Sequence, residues 1–513
     1  VDPRQLPRTL AGGRPVARGQ ELARTAADSA ADIFHPLCVI ARGLRVLAAG
    51  AWRRWQRTPG DRRGPTLLLA ASCTAIVMLL PYGPPLTGVA LMTLAAWAGR
   101  DRDPASETVR ESEGERLQAL YEALVPYLSV PEDPAPLYAH DGDWEEAFAA
   151  HSFDHEGRLG SLELRYPAYF PDGEPEARAR IEQLLRMKAG RGREYRFDWD
   201  AEANRLHVHV LPALPADIFA QRFVTAPGET VLGFTDPGEV HRTLPVFDGT
   251  DRRDEAPVLW RTGPRSAEPH LLVLGRPSAG TSTLLRSLAL QALHQGDVVA
   301  VDGSGSGEFS FLRGRDGVLA VESSAAGALA VLEWASHETE RRLMTANRAR
   351  QEGHQPPEDV RRPLWIVVDR PTALGHLAAA EGRADPQVLL QVPLRHGRIA
   401  NVTVVLGDHL DDAAAQLAEP VLALTRARVL LGAVTDEQVR AVLGAPPRTT
   451  PPPEAPPGRG YARLGTGPVH RLQVPATPDP YDEETSDHER EAVLALLPAG
   501  GRPDDDPLPA GAR

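Results

Sequence analysis

The sequence predicts an α/β protein: a doubly wound parallel sheet, preceded by a short transmembrane hairpin and a small α+β domain. Three observations predict this. Short apolar runs alternate with helical stretches from residue 258 onward, the pattern of strands buried on both faces. One run leads into a glycine-bracketed loop and then a helix: Leu271–Leu274, Gly275 to Gly280, and Thr281 to Leu290 with apolar residues at helical spacing. Residues 64–99 carry no charge at all.

Composition sets the bounds. A chain of 513 residues is long enough for two or three domains, one with a sizeable core. The net charge of −13 is uneven: residues 1–63 hold twelve arginines against five acidic residues, a net of +7, which leaves −20 for the rest. Lys188 is the sole lysine, so arginine abundance reflects coding bias and is no nucleic-acid signal. The acidic remainder argues against a wholesale nucleic-acid coat, though not against a local basic patch. Cys38 and Cys73 form neither a disulfide framework nor a zinc motif.

In chain order, residues 1–30 read as a polar tail. Ala31 to Trp55 mixes apolar residues with Arg42, Arg45, Arg53 and Arg54, which suits a basic amphipathic helix on an anionic membrane surface or, alternatively, a helix packed on a soluble domain. The uncharged stretch breaks at Pro81-Tyr-Gly-Pro-Pro85 into two apolar pieces, each short of the ~20 residues of a full span. A tight hairpin and a re-entrant hairpin both fit. Arginines on both flanks predict a cell-membrane anchor with the N-terminal tail and the C-terminal domains in the cytoplasm. The segment lies too far from the N-terminus for a cleaved signal peptide.

Residues 100–114 read as a charged linker, and 115–257 as a small α+β adaptor domain. Within it, Glu115–Val130, Asp143–Phe153 and Glu174–Ala189 are expected helices; Ser161–Tyr166, Glu194–Trp199 and Arg205–Leu211 are expected strands. Its aromatics Trp144, Tyr166, Tyr169 and Phe170 read as core, and no catalytic constellation stands out. In the domain spanning 258–475, the expected strands are Leu271–Leu274, Val298–Val301, Val318–Val321, Leu364–Val368, Val402–Leu406 and Arg428–Leu431. The helices between them are Thr283–His294, Ala325–Ala349, Pro386–His396 and Glu437–Leu443. Arg459 to Val474 reads as a closing hairpin. Residues 476–513 read as a mostly disordered tail with one short helix, Ser486–Leu497.

The loop places glycines where G-x-x-x-x-G-K-[ST] needs them, so that backbone N–H groups can surround a phosphate at a helix N-terminus. Candidate nucleotide-binding residues are Gly275, Ser278, Gly280, Thr281, Ser282 and Thr283. Candidate metal ligands are Ser282 and Asp369, and Asp369 is the one carboxylate put forward for catalysis. Thr281, however, stands where the lysine belongs, and a hydroxyl supplies no charge to the phosphates. Arg276 and Arg286 are the nearby arginines. A strand–turn–helix without ligand is the alternative.

Several stretches together resemble the FtsK/SpoIIIE motor domain. They are His270-Leu-Leu-Val-Leu-Gly275, Val301-Asp302, Leu332-Glu-Trp-Ala-Ser-His-Glu-Thr-Glu-Arg-Arg342, Trp365-Ile-Val-Val-Asp369, Leu394-Arg-His-Gly-Arg398 and Gly458-Arg-Gly-Tyr-Ala462. The resemblance covers about residues 258–475 in order and implies a P-loop NTPase-like (RecA-type) fold. It also implies ATP and Mg²⁺ as cofactors, double-stranded DNA as partner, and a homo- or hetero-oligomeric ring, with TraB-like and EccC-like relatives. Three positions depart from the pattern: Thr281 for lysine, Arg370 for the glutamate after Asp369, and Gly407-Asp408-His409 for the polar sensor. Losing one such group commonly costs ~10²–10⁴ in rate.

These readings converge on a membrane-anchored protein with a degenerate ATPase site that binds nucleotide weakly. Its expected role is structural or regulatory, in DNA transfer or segregation. An active DNA translocase and a non-enzymatic docking subunit of a secretion or septal complex are the rivals. His270, His396 and His409 lack acidic partners in sequence and read as strand-end or surface residues. The pair Arg341-Arg342 suits a ring interface or a solvated helix face equally.

Overall fold

The computed structural model describes residues 104–130, 133–189, 192–450 and 455–500. The amphipathic segment, the uncharged hairpin and residues 501–513 lie outside the described residues. Among the described residues no helix is long and apolar enough to cross a membrane. The chain divides into two units, residues 1–118 and 119–513.

A helix spans Pro104–Leu128, where the sequence suggests a linker giving way to helix only at Glu115. Pro104 suits a first helical position, where its missing N–H costs nothing. The expected helix Asp143–Phe153 shrinks to Trp144–Ala147, capped by Asp143, and the chain continues as β1 (Phe148–Phe153). Its alanines favour helix, but pairing with β2 (Leu159–Arg165) overrides that weak preference. With β3 (Tyr195–Asp200) and β4 (Arg205–Val210) they form a four-stranded antiparallel sheet in the order β1-β2-β4-β3. The helix Pro175–Ala189 lies between β2 and β3 in sequence, with Ile181, Leu184 and Leu185 buried.

The remaining strands build one sheet of eleven. They are β5 (Glu229–Thr235), β6 (Leu244–Phe247), β7 (Arg252–Arg261), β8 (Leu271–Gly275), β9 (Asp297–Asp302), β10 (Val318–Glu322), β11 (Leu364–Asp369), β12 (Val402–His409), β13 (Ala427–Leu431), β14 (Arg459–Leu464) and β15 (Val469–Gln473). Their order is β10-β9-β11-β12-β8-β13-β14-β15-β5-β7-β6. The six from β10 to β13 are parallel, and the other five extend the sheet antiparallel. Residues 229–261, which carry no strand expectation in the sequence, thus join this sheet. Residues 476–500 also pack on it: Val493 is fully buried and the Thr477 carbonyl accepts from Arg286.

The doubly wound expectation holds in the core. Alternate side chains of each parallel strand enter opposite layers. Val273, Val298, Trp365, Val367 and Val405 meet Leu284, Leu285 and Leu288 of the helix Thr281–Leu293. Leu272, Val299, Ile366, Val368 and Leu406 meet Ala328 and Leu332 of the helix Ala325–Gln351 and Leu394 of the helix Gln391–Ala400.

His270 and the paired arginines are structural, while His396 is exposed. His270 is 1% exposed and its Nδ1 accepts from the Val404 N–H at 3.1 Å. Arg342 is buried, donating to Glu338 at 2.8 Å and to the Arg362 carbonyl at 2.7 Å, while Arg341 pairs with Glu338 and Asp359. Burial holds the His270 imidazole down at about 4, against an ordinary value of 6.5. Below pH 6.5 the unfolded chain therefore takes up a proton that the folded chain refuses, and stability falls as pH drops towards 4. Between pH 7.5 and 5 the wild type should lose about 2 kcal/mol more than His270→Asn, whose amide oxygen keeps the acceptor. Urea midpoints at the two pH values check this; equal losses refute it.

Candidate functional site

The loop follows β8, whose five residues are all buried. Ser278 (φ 62°) and Gly280 (φ 98°) both take the left-handed region, which curls the chain back on itself. Gly280 meets two demands there. Its φ suits glycine, and a Cβ would stand 2.9 Å from the Gly458 nitrogen. The Gly458 N–H donates to the Ala279 carbonyl at 2.9 Å and holds the loop from behind. The first N–H groups of the following helix have no intrahelical acceptor and point out of its N-terminus.

A cavity of about 440 Å³ opens over this terminus. Ser278, Gly280, Thr281, Ser282, Thr283 and Asp369 line it. Gly275 stands behind them at the end of β8, where a Cβ would collide with the Thr281 hydroxyl. Every candidate residue named from sequence is therefore at one place. Ser282 Oγ donates to Asp369 Oδ2 at 2.9 Å, tying the helix to β11. Asp369 is 1% exposed, and its Oδ1 is buried without a partner, as is Thr281 Oγ1. Burial pushes the Asp369 carboxyl up to about 7; the Ser282 hydrogen bond opposes this, Glu308 and Asp302 add to it, and Arg370 lowers it.

The orphaned Asp369 oxygen, the Ser282 hydroxyl and the N–H groups of the helix terminus are the donor set that a magnesium-bound polyphosphate takes. The residues present fit that group, except for the absent lysine. Neither nearby arginine stands in for it. Arg276 donates to the Ala433 carbonyl at 2.7 Å and reaches Gln438 at 3.4 Å. Arg286 is spent on the Thr477 carbonyl, Glu308 and Thr283.

Sequence reasoning missed part of the lining. Ser304, Ser306 and Glu308 border the cavity from the loop after β9. Asp302 organises that loop, accepting from the N–H groups of Ser304, Gly305 and Gly307 and from the Ser304 hydroxyl. The signal was available: a Gly-Ser-Gly-Ser-Gly run directly after a parallel strand lies at the sheet edge where ligands bind. Arg370 and His409 also line the cavity, whereas Asp408 is fully buried behind them. Burial raises the Asp408 carboxyl above its usual range, against hydrogen bonds from Thr372 and from the His409 N–H. A larger cavity, about 750 Å³, lies at the other end of the loop helix beside Leu290 and His294; none of the candidate residues lines it.

No family model matches the sequence, and no curated protein matches it. Among solved structures, the chain is similar to the cytoplasmic domain of the type VII secretion ATPase EccC of Thermomonospora curvata. Identity there is 22%, over 58% of this chain and 34% of that one, with a TM-score of 0.40. A second similarity is to ATPases 2 and 3 of EssC from Geobacillus thermodenitrificans, at 16% identity over 56% of this chain and 51% of that one, TM-score 0.42. A third is to the conjugation coupling protein TcpA of pCW3, in its monomer form with ATPγS. It is 13% identical over 75% of this chain and 99% of that one, TM-score 0.40. The chain thus spans 34% of the EccC structure and 51% of the EssC structure.

The unpartnered Thr281 hydroxyl makes the site testable without a ligand. A buried hydroxyl lacking a partner costs about 1–3 kcal/mol. Thr281→Val keeps the shape and removes that cost, so it should raise the denaturant midpoint of the ligand-free protein, by the equivalent of about 1 kcal/mol in unfolding free energy. A lower midpoint would show that the hydroxyl has a partner after all.

Proposed function

We propose that the chain is a membrane-anchored, FtsK/SpoIIIE-type P-loop protein that binds Mg²⁺-nucleotide weakly and does not turn it over efficiently. It serves DNA transfer or segregation as a structural or regulatory member of a ring. The observation that carries the nucleotide reading is the 2.9 Å bond from Ser282 to Asp369 across the mouth of the loop cavity. It places a hydroxyl and a buried carboxylate side by side at the N-terminus of a helix whose loop has the phosphate-binding curl. When bound, the magnesium ion would neutralise phosphate charge between Ser282 and Asp369.

Poor turnover rests on what occupies the other positions. Thr281 gives the phosphates no charge. Arg370, in place of the glutamate, has no carboxylate with which to orient a water, and the buried acid behind it, Asp408, is bonded to Thr372 at 3.0 and 2.9 Å. The membrane assignment rests on the uncharged residues 64–99 and their flanking arginines. The DNA assignment rests on the motif resemblance across about residues 258–475.

Calorimetry of the full chain with Mg-ATP is expected to give a dissociation constant near 0.1 mM. The missing lysine contact, ~1.5–3 kcal/mol, moves a micromolar site about ten- to a hundredfold. ATP turnover should be absent with and without long duplex DNA. Thr281→Lys combined with Arg370→Glu should raise turnover measurably. Fast turnover by the wild type would overturn the proposal in favour of an active translocase, and no heat at several millimolar ATP would leave the loop structural.

A further inference from the structure

We propose that Arg370 is the cation of this site: its guanidinium takes the terminal phosphate of a nucleoside triphosphate and so makes the site prefer triphosphate to diphosphate. The inference rests on the nucleotide reading above and deepens it. Arg370 sits where a carboxylate would orient water, so its substitution both removes one function and introduces another.

Four observations carry it. First, the Arg370 backbone is clamped. Its N–H donates to the Gly407 carbonyl at 2.7 Å, and the neighbouring Asp369 carbonyl accepts from the Gly303 N–H at 2.8 Å. Its φ is 55°, a left-handed value at which arginine is costly. The side chain therefore leaves a fixed point at the carboxyl edge of the sheet, one residue from Asp369. Second, the guanidinium borders the cavity over the loop. Third, its donors are largely unspent among the described residues. The hydrogen bond it makes is from Nη1 to His409 Nε2, at 3.2 Å. Its Nε is buried without a partner. The carboxylates of Asp408 and Asp412 lie 3.9 and 3.6 Å away, close enough to hold the charge in place and too far to take its hydrogens. A guanidinium offers five N–H groups, and an anion with several oxygens uses them best. Fourth, Arg276 and Arg286 border the same cavity but are already engaged, Arg276 with the Ala433 carbonyl and Arg286 with the Thr477 carbonyl and Glu308.

The position selects the terminal phosphate. In phosphate-binding loops the backbone N–H groups take the inner phosphates, and the metal bridges the β- and γ-oxygens. Groups beside the metal ligands thus face the γ-phosphate. Here Arg370 directly follows Asp369, the partner of Ser282. A diphosphate would fill the loop and leave the guanidinium empty; a triphosphate would reach it.

The test is calorimetry on the full chain with Mg-ATP and with Mg-ADP, for the wild type, Arg370→Asn and Arg370→Lys. Asparagine tolerates the left-handed backbone, and an unchanged urea midpoint confirms that the variant folds. Arg370→Asn should weaken ATP about tenfold or more and ADP less than twofold, because one charge-assisted contact is lost; Arg370→Lys should fall between. Inorganic tripolyphosphate against pyrophosphate gives the same comparison on the wild type without any variant, with about a tenfold preference expected. Equal losses for ATP and ADP, or none, overturn the role of Arg370 while leaving the nucleotide site standing. A wild type that binds neither nucleotide overturns both.

Discussion

Everything at the site depends on the register of the parallel strands. Asp302, Asp369 and Gly407 lie directly opposite one another on β9, β11 and β12, and His409, Gly275 and Leu431 do so on β12, β8 and β13. A slip of one residue in any of these strands would turn its side chains to the other face. It would also take Asp369 from the polar edge into an apolar layer: it would exchange places with Val368, which packs against the helix Ala325–Gln351. The register is thus specified by the same apolar alternation that builds the core. The acidic residues are carried to the edge as the last positions of strands whose interiors are valine, leucine and isoleucine.

Strand order then decides which edges meet. β12 lies between β8 and β11, so the loop and the Asp369 strand are neighbours but one, and the gap is closed by Ser282 reaching to Asp369. What lies beneath that gap must be small, and it is Gly407: a Cβ there would stand 3.0 Å or less from Thr281 Cγ2 and from both methyl groups of Leu285. The departure from a polar sensor at this point has a packing counterpart. The polar role passes one residue on, to Asp408, which is drawn inward by Thr372, while His409 remains at the cavity.

The parallel half of the large sheet was legible because each strand is a continuous apolar run ended by glycine or a charge, which fully buried strands must be. The candidate site was legible for a related reason: Gly275 and Asp369 end such runs, and Gly280 and Ser282 open the helix that follows the first of them. What escaped was set by tertiary contact. Phe148–Phe153 contains the helix-favouring pair Ala149-Ala150, and only pairing with β2 makes it a strand. The β7 strand begins Arg252-Arg-Asp-Glu-Ala256, a charged segment in which no apolar period shows. It holds its place because Arg253 bridges Asp217, Asp248 and Glu255. The direction of Arg370 escaped altogether, since nothing local announces that β12 will supply Gly407 to clamp its backbone and His409 to meet its guanidinium.

The three departures that the sequence resemblance implies, at Thr281, Arg370 and Asp408, meet at one edge of the sheet. A lysine at 281 and a glutamate at 370 would place a cation on the loop and an anion at the end of β11; this chain has a neutral hydroxyl on the loop and the cation at the end of β11. The guanidinium at 370 has two carboxylates near it, Asp412 at 3.6 Å and Asp408 at 3.9 Å, which offset its desolvation. Burial raises the Asp408 carboxyl, and Arg370 lowers it together with the hydrogen bonds from Thr372 and the His409 N–H, so losing Arg370 would leave it raised further. Restoring the loop lysine alone would add a further cation to a cavity already bordered by Arg276, Arg286 and Arg370. Replacing Arg370 by glutamate at the same time removes one cation from that edge as the lysine supplies another.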